Sequence, residues 1–452
     1  MSWDEFVQTY LNDTDSGEDN AEIDEEQRDW LERLSQQPWQ LNRIERNDLL
    51  RLPFLDEEQA DSILSYRQKR HGFLSLGELQ LIKGIDYYTR CYLSLFVRCD
   101  SAALPDEAYL NQRQETDKLK QKFRQGHHEL ETRLDVPLYK REGYKVPDKP
   151  TKTNYYYGNA LHHVIRYAYN CKREVMYGLT MEKDAGEPIV KKGFYPYDYL
   201  SGYFLLRPKQ KAWGLVFGDY NVFSGCGLLF GRPFYGGREQ LARNMRRTST
   251  LFKAHTSASE SNYFRGAAVA YRWKSIDVLT FLSYRRLDAN YDGGDSVRTI
   301  LKTGLHRTIS EIDNRRNLGC LTFGAHAGYE KQRWSLALDG YMAHYDHTVC
   351  PKERYYNKYY FRGRTTGALS ATYNVFLSKF KTQGELASDN KGHISTIHTL
   401  GYQFSKKIGI NAQWRFFTPA FVSVYGSAMQ QGSHVANEQG CLLLVRYLPI
   451  KW

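Results

Sequence analysis

From about Gln125 onward, side chains of two kinds take turns along the backbone, and a period of two is the mark of a strand. Tyr263, Arg265, Ala267, Val269, Tyr271 and Trp273 alternate with Phe264, Gly266, Ala268, Ala270 and Arg272. Ile276, Val278, Thr280, Leu282 and Tyr284 alternate with Asp277, Leu279, Phe281, Ser283 and Arg285. One set is large and apolar or aromatic, the other smaller or more polar, and both are mixed. Segments of about ten residues have the length a tilted strand needs to cross a bilayer.

The connections add a second regularity. Short ones fall at Asn170–Lys172, Arg207–Ala212, Lys274–Ser275, Glu330–Gln332, Leu377–Lys379 and Ser405–Lys407. Long ones fall at Arg141–Asn154, Asp184–Phe194, Ser224–Asn262, Leu287–Asn317, His347–Lys358 and Pro419–Gln439. Short and long take turns, as in membrane barrels with short periplasmic turns and long outer loops. Starting near His127–Leu138, about fourteen strands are expected. The first enters from the short-turn side, and so does whatever precedes it. The 35 tyrosines and 35 glycines suit such a barrel. So does the mean hydropathy of −0.62, because alternation hides apolar residues from an average. No run of about 18 apolar residues offers a transmembrane helix.

Upstream, Pro38 to Asp100 reads as short helices with an internal repeat at an offset of 30 residues. Asp48-Leu49 matches Glu78-Leu79, Leu52 matches Ile82, Leu55-Asp56 matches Ile85-Asp86, Ile63 matches Leu93 and Tyr66 matches Phe96. Ala60, Ile63, Leu64 and Arg67 share one helical face. About five short helices are expected to pack as one unit. The predicted fold class is α+β multidomain: a small all-α unit followed by an antiparallel outer-membrane-type barrel. The predicted division is an acidic leader with a short helix (1–37), the helical unit (38–100), a linker (101–125) and the barrel (126–452). The formal charge of +11 is uneven, since residues 1–29 hold eleven acids and one base, leaving +21 for the rest. Such a leader reads as a solvated segment, with a partner-binding or DNA-mimicking tail as the other reading.

Leu41-Asn42, Asp48 to Pro53, Gln59-Ala60, Ile63-Leu64, Tyr66-Arg67, His71-Gly72-Phe73, Leu76, Glu78-Leu79 and Ile82-Lys83-Gly84-Ile85 carry a resemblance. Over these sixty or so residues the chain resembles the helix-hairpin-helix domain of competence-type DNA receptors. The strand region resembles Bacteroidota outer-membrane barrels that bear a helix-hairpin-helix domain. Its carriers are Glu182 to Glu187, Gly218-Asp219-Tyr220 with Gly225 and Gly227-Leu228-Leu229, Gly304 to Thr308 with Glu311, and Asn437-Glu438 with Gly440. The resemblance implies an outer-membrane location with the helical unit in the periplasm, and it implies no particular activity. Members of the family continue for several strands past the point matching Tyr447–Trp452. Pro449-Ile450-Lys451 reads as one more short turn, so an incomplete barrel with unpaired edges is expected. The alternative is a closing strand over Leu442–Trp452. Met1-Ser2-Trp3-Asp4 lacks a signal peptide's basic and apolar regions, so the chain is expected to be mature or to start further upstream.

The hairpins are where a helix-hairpin-helix unit offers backbone N–H groups to phosphate. The first, Leu52-Pro53-Phe54-Leu55, has no glycine, and the second, Ile82-Lys83-Gly84-Ile85, has one. Asp56 and Asp86 would repel phosphate. A structural or protein-docking role is therefore favoured over DNA binding. If DNA binds, Lys69, Arg70, Lys83, Gly84, Ile85 and Arg90 are its contacts. Arg243, Arg246, Arg247 and Lys253 form a basic cluster in the longest connection, read as a solvated loop or an anion-attracting patch. His306-Arg307, Glu311, Asp313, Arg315 and Arg316 read as a salt-bridge network in the lumen. His344, His347 and Cys350 have helical metal-ligand spacing, which loses meaning on a strand. His162 and His163 point to opposite faces and cannot share an ion. The seven cysteines show no CxxC spacing.

No catalytic residue, metal site or cofactor is expected. The partners expected are outer-membrane lipid, with DNA or a periplasmic protein at 38–100. The favoured function is a non-enzymatic channel or docking platform. The alternative is a soluble or peripheral DNA-binding accessory working through the helical unit.

Overall fold

The computed structural model describes residues 3–7, 25–36, 38–55, 57–82, 84–85, 87–99, 123, 126–139, 141–147, 151, 153, 155–171, 174–188, 197–208, 211–231, 251–292, 294–331, 333–377, 379–405, 408–432 and 434–447. Two large apolar clusters organise it, one in the helical region and one inside the strand region.

The helices are α1 (Trp3–Phe6), α2 (Glu25–Gln36), α3 (Arg46–Leu49), α4 (Glu57–Arg70) and α5 (Tyr87–Phe96), with a 3-10 helix at Leu76–Leu81. Local chemistry sets several boundaries. α4 ends at His71 and Gly72, both at positive φ, and Gly72 N–H returns to the Arg67 carbonyl at 3.0 Å. The 3-10 helix starts at Ser75, where Glu78 accepts from the N–H groups of Leu74 (2.6 Å) and Ser75 (3.1 Å). Tyr66 of α4 donates to the same carboxylate at 2.9 Å, tying the two segments together. Asn42 then joins the two halves of the repeat: its amide accepts from Phe73 N–H at 2.7 Å and donates to Phe73 C=O at 2.8 Å. Trp39-Gln40 and Val97-Arg98 close the unit as a short parallel bridge.

The apolar cluster of this unit reaches past the expected boundary at Pro38. Phe6, Leu31 and Leu34 are buried in it, and Phe6 packs on Phe54, Tyr92 and Phe96 with ring centroids 5.0–6.1 Å apart. The described parts of the acidic leader are thus not merely solvated, because their few large apolar side chains complete the core. Residues 8–24 and nearly all of the 101–125 linker lie outside the described residues.

Apart from a short parallel pairing of Ser296-Val297 with Thr348-Val349, the rest is one antiparallel meander. Its long strands are β1 (His127–Asp135), β2 (His162–Cys171), β3 (Val175–Lys183), β4 (Tyr199–Leu206), β5 (Trp213–Val222), β6 (Phe264–Trp273) and β7 (Ile276–Tyr291). β8 (Leu318–Glu330), β9 (Trp334–Val349), β10 (Gly363–Leu377), β11 (Phe380–Asp389), β12 (Ile394–Ser405), β13 (Ile408–Phe417) and β14 (Glu438–Tyr447) follow. The sheet has 16 strands in all. Setting aside the short pieces Phe252–Ala254 and Ser296–Leu301 leaves the fourteen long ones. Each long strand pairs antiparallel with the next. Among the described residues β1 pairs only with β2 and β14 only with β13, so the two edges are not joined.

Connections of a few residues lie at one end of the sheet and the longer ones at the other, with one departure. Asn390–His393 joins β11 to β12 at the long-loop end in four residues. Asp389 explains it: its carboxylate accepts from Lys391 N–H and His393 N–H, each at 2.9 Å, over a left-handed Gly392. The Ser224–Asn262 connection also contains the strand Phe252–Ala254, which extends the edge of β5, and residues 232–250 of it lie outside the described residues.

Burial along the strands runs opposite to that of a water-soluble sheet. On β9, Leu336, Leu338 and Met342 are exposed while Asp339, Tyr341 and Ala343 are buried. On β10, Leu369 is 71% exposed while Thr366, Ser370, Thr372 and Asn374 are buried. On β11, Leu386 faces out while Gln383 and Glu385 face in, and on β13 Trp414 and Phe416 face out while Gln413 and Arg415 face in. β6 and β7 resolve the two mixed sets of the sequence. Val269, Tyr271, Trp273, Val278, Leu282 and Tyr284 form the outer face, and Phe264, Ala268, Leu279, Phe281 and Ser283 the inner one.

Candidate functional site

The inner face is filled by the chain's own loops. The segment after β5, around Phe223–Gly231, touches strands from β6 to β11. Ser224 Oγ donates to Asp339 on β9 at 2.6 Å. Glu385 on β11 accepts from the N–H groups of Cys226 (2.6 Å) and Leu228 (3.1 Å). Phe230 packs on Phe264 of β6, Phe281 of β7 and Tyr341 of β9. A segment reaching so many strands requires the sheet to curl around it. The connection after β13 closes on the same place. Ser427 N–H donates to Gly227 C=O at 2.8 Å, Val424 N–H to Tyr341 Oη at 2.9 Å, and Tyr425 packs 4.7 Å from Phe264. Gly227 has φ +99°, and a Cβ there would stand 2.8 Å from the Ser427 carbonyl, so only glycine fits the crossing.

Inside this plug a serine, a histidine and two aspartates meet. His326 Nδ1 is held by Asp339 at 2.7 Å and Nε2 by Asp277 at 3.1 Å. The Ser224 hydroxyl gives its proton to Asp339, and both imidazole nitrogens are engaged by carboxylates. Ser224 Oγ also lies 3.4 Å from His326 Nδ1, but Asp339 is the nearer partner of both groups.

A second layer lies where the loops leave the strands, and it gathers stretches far apart in sequence. His306 N–H donates to Glu187 at 2.9 Å, its Nε2 pairs with Asp288 at 3.0 Å and its Nδ1 pairs closely with Asp198. Arg315 reaches Asp198 at 2.5 Å, while Arg316 uses its N–H on Asp288 (2.7 Å) and its side chain on the Asp198 carbonyl (2.8 Å). Arg307 pairs with Glu311 at 3.2 Å, and Glu311 caps the helix Ile309–Asp313. The expected salt-bridge group is therefore present, with carboxylates from three further stretches. Burial alone would lower the His306 imidazole, but Asp198 and Asp288 outweigh it and push it up to about 10. Burial, then the charge of Asp198, pushes Glu187 up to about 7 and Glu260 up to about 8. Gly186, at φ +105°, lets this layer close, since a Cβ there would press on the Arg307 side chain at 3.0 Å.

Beside it, His162 stands among three carboxylates at the ends of β1, β2 and β3. Nδ1 lies 3.1 Å from Asp135, and Nε2 lies 3.1 Å from Glu182 and 3.7 Å from Asp184. His163 faces the other way, bonded to Thr132 and Tyr197 at 3.0 Å each. The opposite facing was legible in the sequence, but the carboxylates of neighbouring strands were not. The sequence reading expected no metal-binding residues, whereas Glu182 and Asp184 with His162, and Glu187 and Asp198 with His306, have the spacing to hold an ion.

The remaining candidates scatter. Lys69 and Arg70 are exposed in the last turn of α4, and Arg90 lies over the Tyr87 ring at 5.9 Å. Gly84 is exposed at φ +106° and Ile85 is buried. Lys83, Asp56 and Asp86 lie outside the described residues, as do Arg243, Arg246 and Arg247. Leu52, Pro53, Phe54 and Leu55 are all buried, with Phe54 stacked on Phe96, so this hairpin is a core element turned away from solvent. Lys253 lies over the Phe223 ring at 5.2 Å. His344 bonds Thr365 and His347 bonds Asp346, so on a strand the helical spacing brings no ligands together.

No protein-family model matches the chain, and no curated protein does. Among solved structures, it is similar to an OmpF from Salmonella typhi in complex with daunomycin. The TM-score is 0.30 at 8% identity, over 71% of this chain and 95% of that one. An anion-selective porin from Comamonas acidovorans gives 0.28 at 10% identity, over 64% and 90%. OmpT, an outer membrane protein of Vibrio cholerae, gives 0.27 at 13%, over 64% and 91%. Such low scores leave the fold to be argued from the strands themselves.

Proposed function

We propose that this chain is an outer-membrane β-barrel protein whose lumen is occupied by its own loops, acting as a docking platform and not as an open pore. The observation that carries this reading is the reversed burial of β9, β10, β11 and β13. A face of exposed Leu, Val, Phe and Trp is costly in water and is what lipid requires, while Thr, Gln, Glu and Arg turn inward. Trp273, Tyr329, Trp334 and Tyr402 sit at the short-turn ends, where an aromatic belt meets the interface. The plug anchored on Glu385 and Asp339 supports a closed lumen. The doubly engaged imidazole of His326 supports a non-enzymatic role.

The chain enters β1 from the short-turn side, which supports a periplasmic location for the helical unit. We read it as a helix-hairpin-helix unit used for docking a protein. Its first hairpin is buried, and it exposes Leu74, Leu81, Tyr87 and Tyr88. Fractionation of native cells tests the location: the chain stays with the outer membrane until detergent is added and migrates differently on a gel before and after boiling. Recovery in the soluble fraction would overturn it.

A further inference from the structure

We propose that His162, Glu182 and Asp184 form a binding site for one divalent metal ion of the zinc class, with Asp135 orienting the histidine. The register builds it. Asp135 pairs with His162 across β1 and β2, Glu182 pairs with Val164 across β2 and β3, and Asp184 lies two residues beyond Glu182. All four side chains therefore project from one face of the sheet at its long-loop end.

The geometry has the spacing of a coordination sphere. The three candidate ligand atoms lie within 4.8 Å of one another. The Nε2 to oxygen separations of 3.1 and 3.7 Å bracket the edge of about 3.4 Å that a tetrahedron with bonds of about 2.1 Å requires. One imidazole nitrogen and two carboxylates make a mixed donor set suited to zinc, with water completing the sphere. Asp135 on Nδ1 supplies the carboxylate–histidine pairing that fixes the tautomer of a metal-bound imidazole.

Charge points the same way. Both nitrogens of His162 face carboxylates, a demand that either an imidazolium or a cation bound between Nε2 and the two acids meets. The His306 cluster meets a similar demand with Arg315 and Arg316. At His162, among the described residues, no arginine or lysine side chain forms an ion pair with Glu182 or Asp184. Arg133 pairs with Asp135, and Lys183 Nζ donates to the backbone carbonyls of Leu161 and Asp184.

The test uses the full chain folded in detergent, with heat-modifiable migration as the check of folding and Zn2+ or Co2+ alone as the probe. One Zn2+ per chain is expected at this site, and Co2+ gives the visible bands of a low-coordinate N/O site. Glu182→Gln, nearly isosteric, weakens Zn2+ binding at least tenfold and removes the Co2+ bands, as does His162→Ala. Asp135→Asn weakens it roughly 10- to 100-fold. Asp198→Asn, in the neighbouring cluster, leaves it unchanged. A folded wild-type chain that takes up no Zn2+, or a folded Glu182→Gln chain that binds it as well as wild type, overturns the site.

Discussion

The Glu385 carboxylate, on the inner face of β11, accepts hydrogen bonds from the backbone N–H groups of Cys226 and Leu228, more than 150 residues earlier in the chain. A buried acid in a membrane strand is costly unless its oxygens are satisfied, and here the plug satisfies one of them twice. Charge-assisted bonds of this kind contribute about 1.5–3 kcal/mol each. Glu385→Ala should therefore release the segment around Phe223–Gly231. The expected outcome is protease cleavage there in the folded, heat-modifiable protein and a larger single-molecule conductance in planar bilayers. Unchanged cleavage and conductance would show that the plug is held elsewhere.

Leu338 separates a membrane sheet from a soluble one. It is 65% exposed, four residues along β9 from Trp334. An exposed leucine in water tolerates arginine at little cost, whereas a lipid-facing one near the midplane loses about 2–4 kcal/mol. Leu338→Arg should lower stability by that amount in a reversible refolding titration into lipid vesicles. A change below about 0.5 kcal/mol would contradict a lipid-facing position.

The sequence made the strands legible because alternation and turn spacing are local signals. The side that faces out was not legible on β6 and β7, since both sets contain apolar residues. Only the plug, which buries Phe264 and Phe281, decides it. The four-residue Asn390–His393 connection was hidden because its length is set by one side chain, Asp389. The rim cluster was half visible. His306 to Arg316 is a dense local charge group, but Glu187, Asp198 and Glu260 reach it through loops whose paths no local pattern reveals. Phe6 and Leu31 in the helical core were obscured by the acids around them.

Ionisation of the rim cluster has a definite sign. His306 is raised to about 10 from an ordinary value of about 6.5, so its contribution is complete below about pH 6.5 and is lost as pH rises toward 10. Glu187 and Glu260, raised to about 7 and about 8, lose stability in the same direction as they ionise above about pH 4.5. Hydrogen exchange at Gly304–Arg316, corrected for intrinsic rates, should show progressively easier opening from pH 5 to pH 10. His306→Gln should remove the part of that dependence above about pH 6.5. Protection that grows with pH would contradict the assignment.

Because Leu52 to Leu55 are buried, the helical unit has at most one hairpin to offer to phosphate. The full chain in detergent should not shift duplex DNA at near-physiological salt. Micromolar binding with a steep salt dependence would reverse the choice between protein and DNA as the partner.

The reversed burial of the strands is tested most directly by nitroxide scanning along β9. Single labels are placed from Leu336 to Ala343 in a chain whose seven cysteines are replaced, refolded into lipid vesicles. A period of two is expected. Labels at 336, 338 and 342 should collide with oxygen and be shielded from a water-soluble nickel chelate, while labels at 339, 341 and 343 should be shielded from both. Ready access of the nickel chelate to 336, 338 and 342 would contradict it.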